Sequence, residues 1–237
     1  MELKQAIEYL VNLGFEEKKT FTDASNNVYV SKEFSRVLPD RPEAIKTSTL
    51  TSVIEYIKTN IDTDSQKIIH VEDYDTVSVY GTLDKFQRRD HWLKAKAMVP
   101  STINYGSYYD TESFNIALQA RFVPTEDRDT LLKISGCIEE SAIKTSVDDG
   151  VSQSVAIRTG ITTIANMSVP KTVKLKPFRT FTELSQPESE FVFRIKEGPS
   201  CALFEADGGA WKNQCILDIA SFLEDKLQGF GGFIILA

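Results

Sequence analysis

The stretch between residues 170 and 211 limits the possible folds of this chain more than any other part. It holds short alternating runs, two internal prolines and an Asp-Gly-Gly turn that precedes an apolar repeat of helical period. Proline cannot donate to a β-ladder, so Pro177 and Pro187 are predicted at strand ends or turns. The pattern predicts short strands at 173–175, 191–195 and 201–205, followed by a helix from about residue 211.

The last eight residues, 230–237, are almost entirely apolar. Phe233 and Ile235 alternate with Ile234 and Leu236, so a strand here would be apolar on both faces. Such a segment is unfavourable in water. It is predicted to be a buried final strand or to be donated to a neighbouring subunit, which makes a homo-oligomer the expected state.

The rest of the chain predicts an α+β fold with a mainly antiparallel sheet, helices on one face and a helical N-terminal segment. Residues 1–64 form that segment and 65–237 the α+β domain. Helices are expected at 2–13, 49–60, 111–122 and 126–139, the last two covering one face of the sheet. Strands are expected at 28–30, 68–71, 77–83 and 92–99, and a hairpin turns at Asp148-Asp149-Gly150.

A basic stretch lies between residues 85 and 96. It contains Lys85, Arg88, Arg89, Lys94 and Lys96 against Asp90, a formal charge of +4. With His91 and Trp92 alongside for stacking, this stretch is a candidate contact for an anion or a nucleic acid. The alternative is a solvated hairpin end whose charges balance acidic surroundings. Arg179 is a further candidate, either as a phosphate ligand or in a buried salt bridge with Glu183 or Glu190.

Two acidic clusters invite catalytic or metal-binding interpretations. His70 precedes Glu72, Asp73 and Asp75, but the only other histidine is His91 and no paired-histidine spacing exists. The Asp148-Asp149 pair precedes a glycine, as hairpin turns require. The sequence therefore favours turn and solvation functions for these groups, with no metal, no cofactor and no catalytic residue expected.

Composition narrows the classes of protein further. The formal net charge is −7, which disfavours a general binder of nucleic acid or anionic membranes. Three cysteines without CxxC spacing, Cys137, Cys201 and Cys215, predict reduced thiols. No apolar run has membrane-spanning length, so a cytoplasmic protein is expected.

Several segments together resemble one family. They are DDGVSQ at 148–153, LKPFRTF at 175–181, QPESEF at 186–191 and FEADGGAW at 204–211. The chain is similar here to the YfdQ-like family of phage and prophage proteins, a domain of unknown function. The resemblance implies a bacteriophage origin and a product in the host cytoplasm, and it supplies no catalytic or binding residues.

These observations lead to two functional hypotheses. The first is a phage accessory protein that acts by self-assembly and by binding a host protein or a small ligand, without catalysis. The alternative is a nucleic-acid-binding protein of phage DNA replication or recombination, which the basic stretch at 85–96 favours. A phage enzyme that acts through Asp148, Asp149 or Asp207 is less favoured than either.

Overall fold

A computed structural model describes residues 20–30, 35–62, 65–137, 153–158, 164–196 and 200–237. The chain divides into two compact units. The small unit comprises the described residues of Met1–Glu43 together with Leu83–Asp90, and the large unit comprises those of Ala44–Thr82 and His91–Ala237. The division into 1–64 and 65–237 stays a prediction. The helix expected at 2–13 and the turn expected at 148–150 lie outside the described residues.

The described residues form fourteen strands and four helices. The strands are β1 (Thr20–Thr22), β2 (Val28–Val30), β3 (Ser35–Val37), β4 (Ile45–Thr47), β5 (Lys67–Asp73), β6 (Thr76–Gly81), β7 (His91–Lys96), β8 (Tyr109–Asp110), β9 (Gln153–Arg158), β10 (Ile164–Val169), β11 (Thr172–Leu175), β12 (Ser189–Lys196), β13 (Ser200–Glu205) and β14 (Phe233–Leu236). The helices are α1 (Leu50–Thr59), α2 (Thr111–Arg121), α3 (Glu126–Gly136) and α4 (Ala210–Lys226). The predicted α+β class is confirmed.

The small unit contains an antiparallel sheet in the order β1-β2-β3. Asp23 forms the turn between β1 and β2 by accepting hydrogen bonds from the backbone N–H groups of Ser25 and Asn27 at 2.9 Å each. The strand expected at 28–30 is confirmed. The helical N-terminal segment is not borne out over the described residues 20–47, which contain β1 to β4. Apart from 28–30, loops were expected there, since most three-residue strands are too short to show a clear alternation.

One sheet of the large unit has five strands in the order β14-β5-β6-β7-β4. The antiparallel meander predicted from the alternation after residue 67 is confirmed as β5, β6 and β7. β14 and β4 pair in parallel with their neighbours, so the complete sheet is mixed.

Helices α1 and α4 cover one face of this sheet. Leu50 and Val53 of α1 and Ile219 and Leu223 of α4 are buried against the inward side chains of the strands, such as Ile69. The sequence offers Ser48 or Thr49 as the cap of α1, and the structure shows Thr49, whose hydroxyl accepts from the N–H of Ser52 at 3.3 Å. We call this covered side the inner face of the five-stranded sheet and the opposite side its outer face.

A second sheet, antiparallel and in the order β11-β12-β13-β8, packs against α2 and α3. Phe114 of α2 lies on Phe193 of β12, with ring centroids 5.7 Å apart. The two helices were expected to cover one face of a single sheet, and they do cover an antiparallel sheet, but the large unit contains this sheet in addition to the mixed one. An amphipathic pattern shows that a helix buries one face but not which sheet receives it. The sequence predicts Thr111 as the cap of α2, but the cap is Asp110, whose carboxylate accepts from the N–H of Ser113 at 2.8 Å.

The predicted C-terminal strand is confirmed as β14, and within this chain only its inner face is buried; its burial against a neighbouring subunit stays a prediction. Phe233 and Ile235 pack on the core below the five-stranded sheet. Ile234 and Leu236, on the outer face, are 45% and 49% exposed. β14 is the edge strand of its sheet, so it has a neighbour on one side only in the described fold.

The strand β9 forms as the second arm of the predicted hairpin, and it pairs antiparallel with β10 in a separate two-stranded sheet. The other predicted arm, 141–147, lies outside the described residues. Across the described part of the chain, no helix has both the length and the apolar character needed to cross a membrane.

Candidate functional site

The outer face of the five-stranded sheet holds a hydrogen-bonded polar cluster centred on Glu72. Tyr80 Oη donates to Glu72 Oε1 at 2.8 Å, and Lys94 Nζ donates to Glu72 Oε2 at 2.8 Å. Partial burial would raise the pKa of Glu72, but hydrogen bonds from Lys94, Ser78 and Tyr80 outweigh it and lower that pKa to about 2. The carboxylate is therefore held in its charged form at neutral pH.

His91 completes this cluster. Its Nε2 lies 3.2 Å from Ser78 Oγ, and its ring stacks on Tyr80 with centroids 4.6 Å apart. A bulge in the pairing of β6 with β7 brings His91 opposite Tyr80. We call Glu72, Ser78, Tyr80, His91 and Lys94 the outer-face cluster.

The outer-face cluster contains a serine, a histidine and a carboxylate but is not arranged as a hydrolytic triad. Ser78 has no exposed surface, so a substrate carbonyl would not reach its hydroxyl. The Glu72 carboxylate contacts Tyr80, Lys94 and Ser78 rather than orienting the imidazole of His91. A carboxyl pKa near 2 also makes Glu72 a weak base. The arrangement is suited to presenting a fixed surface.

The low pKa of Glu72 gives a pH-dependent contribution to stability. Its pKa in the fold, about 2, lies below the unfolded value of 4.5, so the stabilisation is complete above pH 4.5 and is lost as pH falls towards 2. Between pH 5 and pH 2, we expect the wild type to lose about 2 kcal/mol more unfolding free energy than Glu72→Gln. Urea titrations at stepwise lower pH measure this difference. Parallel pH profiles of the two proteins would contradict it.

The metal interpretation of His70, Glu72, Asp73 and Asp75 gains no support from the geometry. Within the described residues, no group of three or more histidine, cysteine or acidic side chains is placed to hold a metal ion. Both oxygens of Glu72 are already hydrogen-bonded.

The cations of the predicted basic stretch fall into the two units. Lys85, Arg88 and Arg89 belong to the small unit. There Lys85 lies 5.0 Å from the Phe86 ring centroid, and Arg88 lies 4.0 Å from Asp84 and donates to the Pro39 carbonyl at 3.2 Å. Arg41 bonds both acids of this segment, Asp84 at 2.5 Å and Asp90 at 3.2 Å. The side chains of Lys85 and Arg89 are exposed.

The two rings expected beside this stretch lie on β7 of the large unit. His91 is half-buried in the outer-face cluster. Trp92 points the other way, because the bulge shifts the alternation, and it packs half-buried on the core of the five-stranded sheet. The sheet thus separates His91 and Trp92 instead of presenting them together.

Arg179 lies far from these groups in the sequence and is almost fully buried, at 4% exposure. Its guanidinium carbon is 3.6 Å from the Trp211 ring centroid, and Nη1 is 3.4 Å from Glu205 Oε1. Nη2 donates to the carbonyl of Pro187 at 3.2 Å and to the hydroxyl of Ser189. The buried guanidinium of Arg179 forms an ion pair with the partly exposed Glu205 rather than with the predicted Glu183 or Glu190.

A cleft of about 350 Å³ opens beside Trp211 at the start of α4. Its walls include Lys174, Glu188, Glu190, Asp207, Trp211 and Gln214. Gly209, with φ of 80°, forms the tight turn into α4 that the Asp-Gly-Gly sequence predicts. The volume is suited to a small ligand.

The cysteines are free thiols in the described fold. Cys201 and Cys215 are buried, and burial raises the pKa of Cys201 to about 12. A thiol with such a pKa is protonated at neutral pH and is a poor nucleophile. The geometry therefore offers these two cysteines no catalytic function.

The sequence interpretation missed the outer-face cluster. Its members come from three strands that are separated in sequence, and only their register brings them together. The usable signal was the alternation of 68, 70 and 72 with 69 and 71, which places His70 and Glu72 on one face. Alternation within one strand does not predict which residues of the adjacent strands lie beside His70 and Glu72.

Comparisons with protein families, with curated proteins and with solved structures found no match to this chain. The resemblance to the YfdQ-like family stays a prediction.

Proposed function

We propose that this chain is a bacteriophage-encoded accessory protein that acts by self-assembly and by binding a partner, without catalysis. The resemblance to the YfdQ-like family supports the phage setting and the host cytoplasm as its compartment. The one observation that carries the assembly proposal is the nature of β14, an edge strand with uncharged side chains.

Edge strands in monomeric proteins usually carry charges, proline or a cover that prevents pairing with another chain. The sequence of β14 is Phe-Ile-Ile-Leu, without charge or proline. Ile234 and Leu236 expose about half of their surface, and Phe230 just before the strand is 50% exposed. Antiparallel pairing of β14 with β14 of a second copy would satisfy the free edge and bring Ile234 and Leu236 beside the same side chains of the partner copy.

Assembly is tested by light scattering coupled to size exclusion over a wide range of protein concentration. We expect the wild type to form dimers at high concentration and Ile234→Lys to remain monomeric, since two copies would bring the new charges together at the joined edge. Ile234 points away from the core, so the melting temperature should change little.

Ile116→Lys is the matched control. Ile116 lies on α2, against the other sheet, and is 58% exposed. This variant adds the same charge at an exposed apolar side chain and should assemble like the wild type. A wild type that stays monomeric at every concentration, or two variants that behave alike, would overturn the proposed assembly through β14.

The same geometry favours binding over catalysis. The serine, histidine and carboxylate of the outer-face cluster are fixed by one another, and Ser78 is inaccessible. A small ligand would fit the cleft beside Trp211, and a host protein would fit the outer face of the sheet. The alternative function, nucleic-acid binding in phage replication or recombination, is supported by the lysines and histidines of that outer face.

A further inference from the structure

The outer face of the five-stranded sheet carries two rows of side chains that run across the strands. In the first row, each residue is paired with the next in the order Leu236, His70, Ser78, Lys94 and Lys46. In the second row, the order is Ile234, Ile68, Tyr80 and His91. We call them the cationic row and the ring row.

The two rows are accessible from solvent. Lys46 and His70 are exposed, and the Lys94 side chain is 42% exposed. Tyr80 and His91 are half-buried, with their rings stacked on each other. Helices α1 and α4 pack on the inner face, so they leave both rows uncovered.

The charge of this face differs from that of the whole chain. Lys46, Lys94 and Lys96 balance Glu72, Asp73 and Asp75 there. The chain as a whole has a formal charge of −7. A polyanion would therefore be repelled less by the outer face than by the rest of the surface.

The spacing of the rows suits a single strand of nucleic acid. Rows two residues apart along a strand are separated by about 7 Å, and five strands give a row about 19 Å long. A polymer lying along the rows would place phosphates beside the lysines and bases beside Tyr80, His91 and the apolar side chains. Base stacking on rings and a cationic track are the two components of single-strand binding without sequence preference.

We propose that the outer face binds single-stranded DNA, with Lys46, Lys94, Lys96 and His70 on the phosphates and the ring row on the bases. The alternative function, nucleic-acid binding, thereby has a site. The nucleic-acid contact lies on the sheet face, where cations and rings are neighbours, and not on the exposed loop at Lys85 and Arg89.

The test measures fluorescence anisotropy of a labelled oligo(dT) of about 20 nucleotides, starting at about 50 mM salt. Lys46→Glu combined with Lys96→Glu should weaken binding at least about tenfold and reduce the salt slope of log K by about 1.4, two phosphate contacts at about 0.7 each. Both side chains are exposed, so the melting temperature should be preserved.

Two charge-matched variants control for overall charge. Lys226→Glu combined with Lys212→Glu makes the same change on α4, which packs on the opposite face of the sheet. Lys85→Glu combined with Arg89→Glu makes the same charge change in the loop that the sequence indicated as a nucleic-acid contact. Both pairs should bind oligo(dT) within about twofold of the wild type once non-specific charge effects are screened by salt.

The outcomes separate this inference from the proposed assembly. Absence of oligo(dT) binding by the wild type, or loss of binding only in the Lys85/Arg89 pair, would overturn the sheet-face site whatever the oligomeric state. Stronger binding of oligo(rU), or of duplex DNA, than of oligo(dT) would overturn the assignment to single-stranded DNA. Light scattering on each variant reports assembly independently.

Discussion

Arg179→Ala is expected to lower the free energy of unfolding by about 3 to 4 kcal/mol, because it removes several interactions at one buried position. The guanidinium stacks on Trp211 and bonds Glu205, Ser189 and the Pro187 carbonyl. Its loss leaves a cavity against Trp211 and unpaired acceptors around it. Urea denaturation followed by Trp fluorescence measures the change.

Two further variants divide this effect into its parts. Arg179→Lys keeps a charge but not the planar fork, so roughly half of the loss should remain. Glu205→Gln changes a partner that is 36% exposed and should cost less than about 1 kcal/mol. If Arg179→Ala lowered the free energy of unfolding by less than about 1 kcal/mol, the contacts of the Arg179 guanidinium would not stabilise this region.

Deletion of residues 230–237 is the second change with a large expected effect. It removes β14, whose Phe233 and Ile235 pack on the core and which pairs with β5 along its whole length. Full burial of a side chain of this kind stabilises the fold by up to about 1.5 to 3 kcal/mol. With Phe233 and Ile235 removed and the β5 edge exposed, we expect the free energy of unfolding to fall by about 4 kcal/mol. Circular dichroism during thermal unfolding should show a much lower melting temperature.

The outward side chains of the same strand provide the control. Ile234→Ser combined with Leu236→Ser leaves the inward residues and the pairing with β5 in place. This double variant should keep the wild-type melting temperature and lose only assembly. A truncated chain that unfolds like the wild type would show that β14 adds nothing to the stability of the sheet.

The sequence by itself determined local structure wherever a periodic pattern was long enough. The alternation after residue 67 predicted the meander, and the spacing of Leu50, Val53 and Ile57, with a cap at residue 48 or 49, predicted α1. Only local geometry is needed for these features, since side-chain direction and capping depend on neighbours within four residues. The Asp-Gly-Gly turn before α4 was predicted for the same reason.

Contacts between distant segments were decided only by the tertiary structure. Arg179 has local acidic candidates, Glu183 and Glu190, but its partner is Glu205, on β13. β12 and β13 pair in the same sheet and bring Glu205 towards the 179–189 segment. The strand register decides which carboxylate lies beside the guanidinium of Arg179, and closeness in the sequence does not predict it.

The neighbours within the candidate site were likewise decided only by the tertiary structure. His70, Tyr80, His91 and Lys46 come from four strands, and the alternation of each strand gives only the face on which it presents a side chain. Strand order and register then decide which of these side chains become neighbours, and a shift of one residue would move each set to the other face. The outer-face cluster and the two rows of the outer face form because β4 to β7 and β14 adopt one specific order and register. Packing of the whole core selects that order and register.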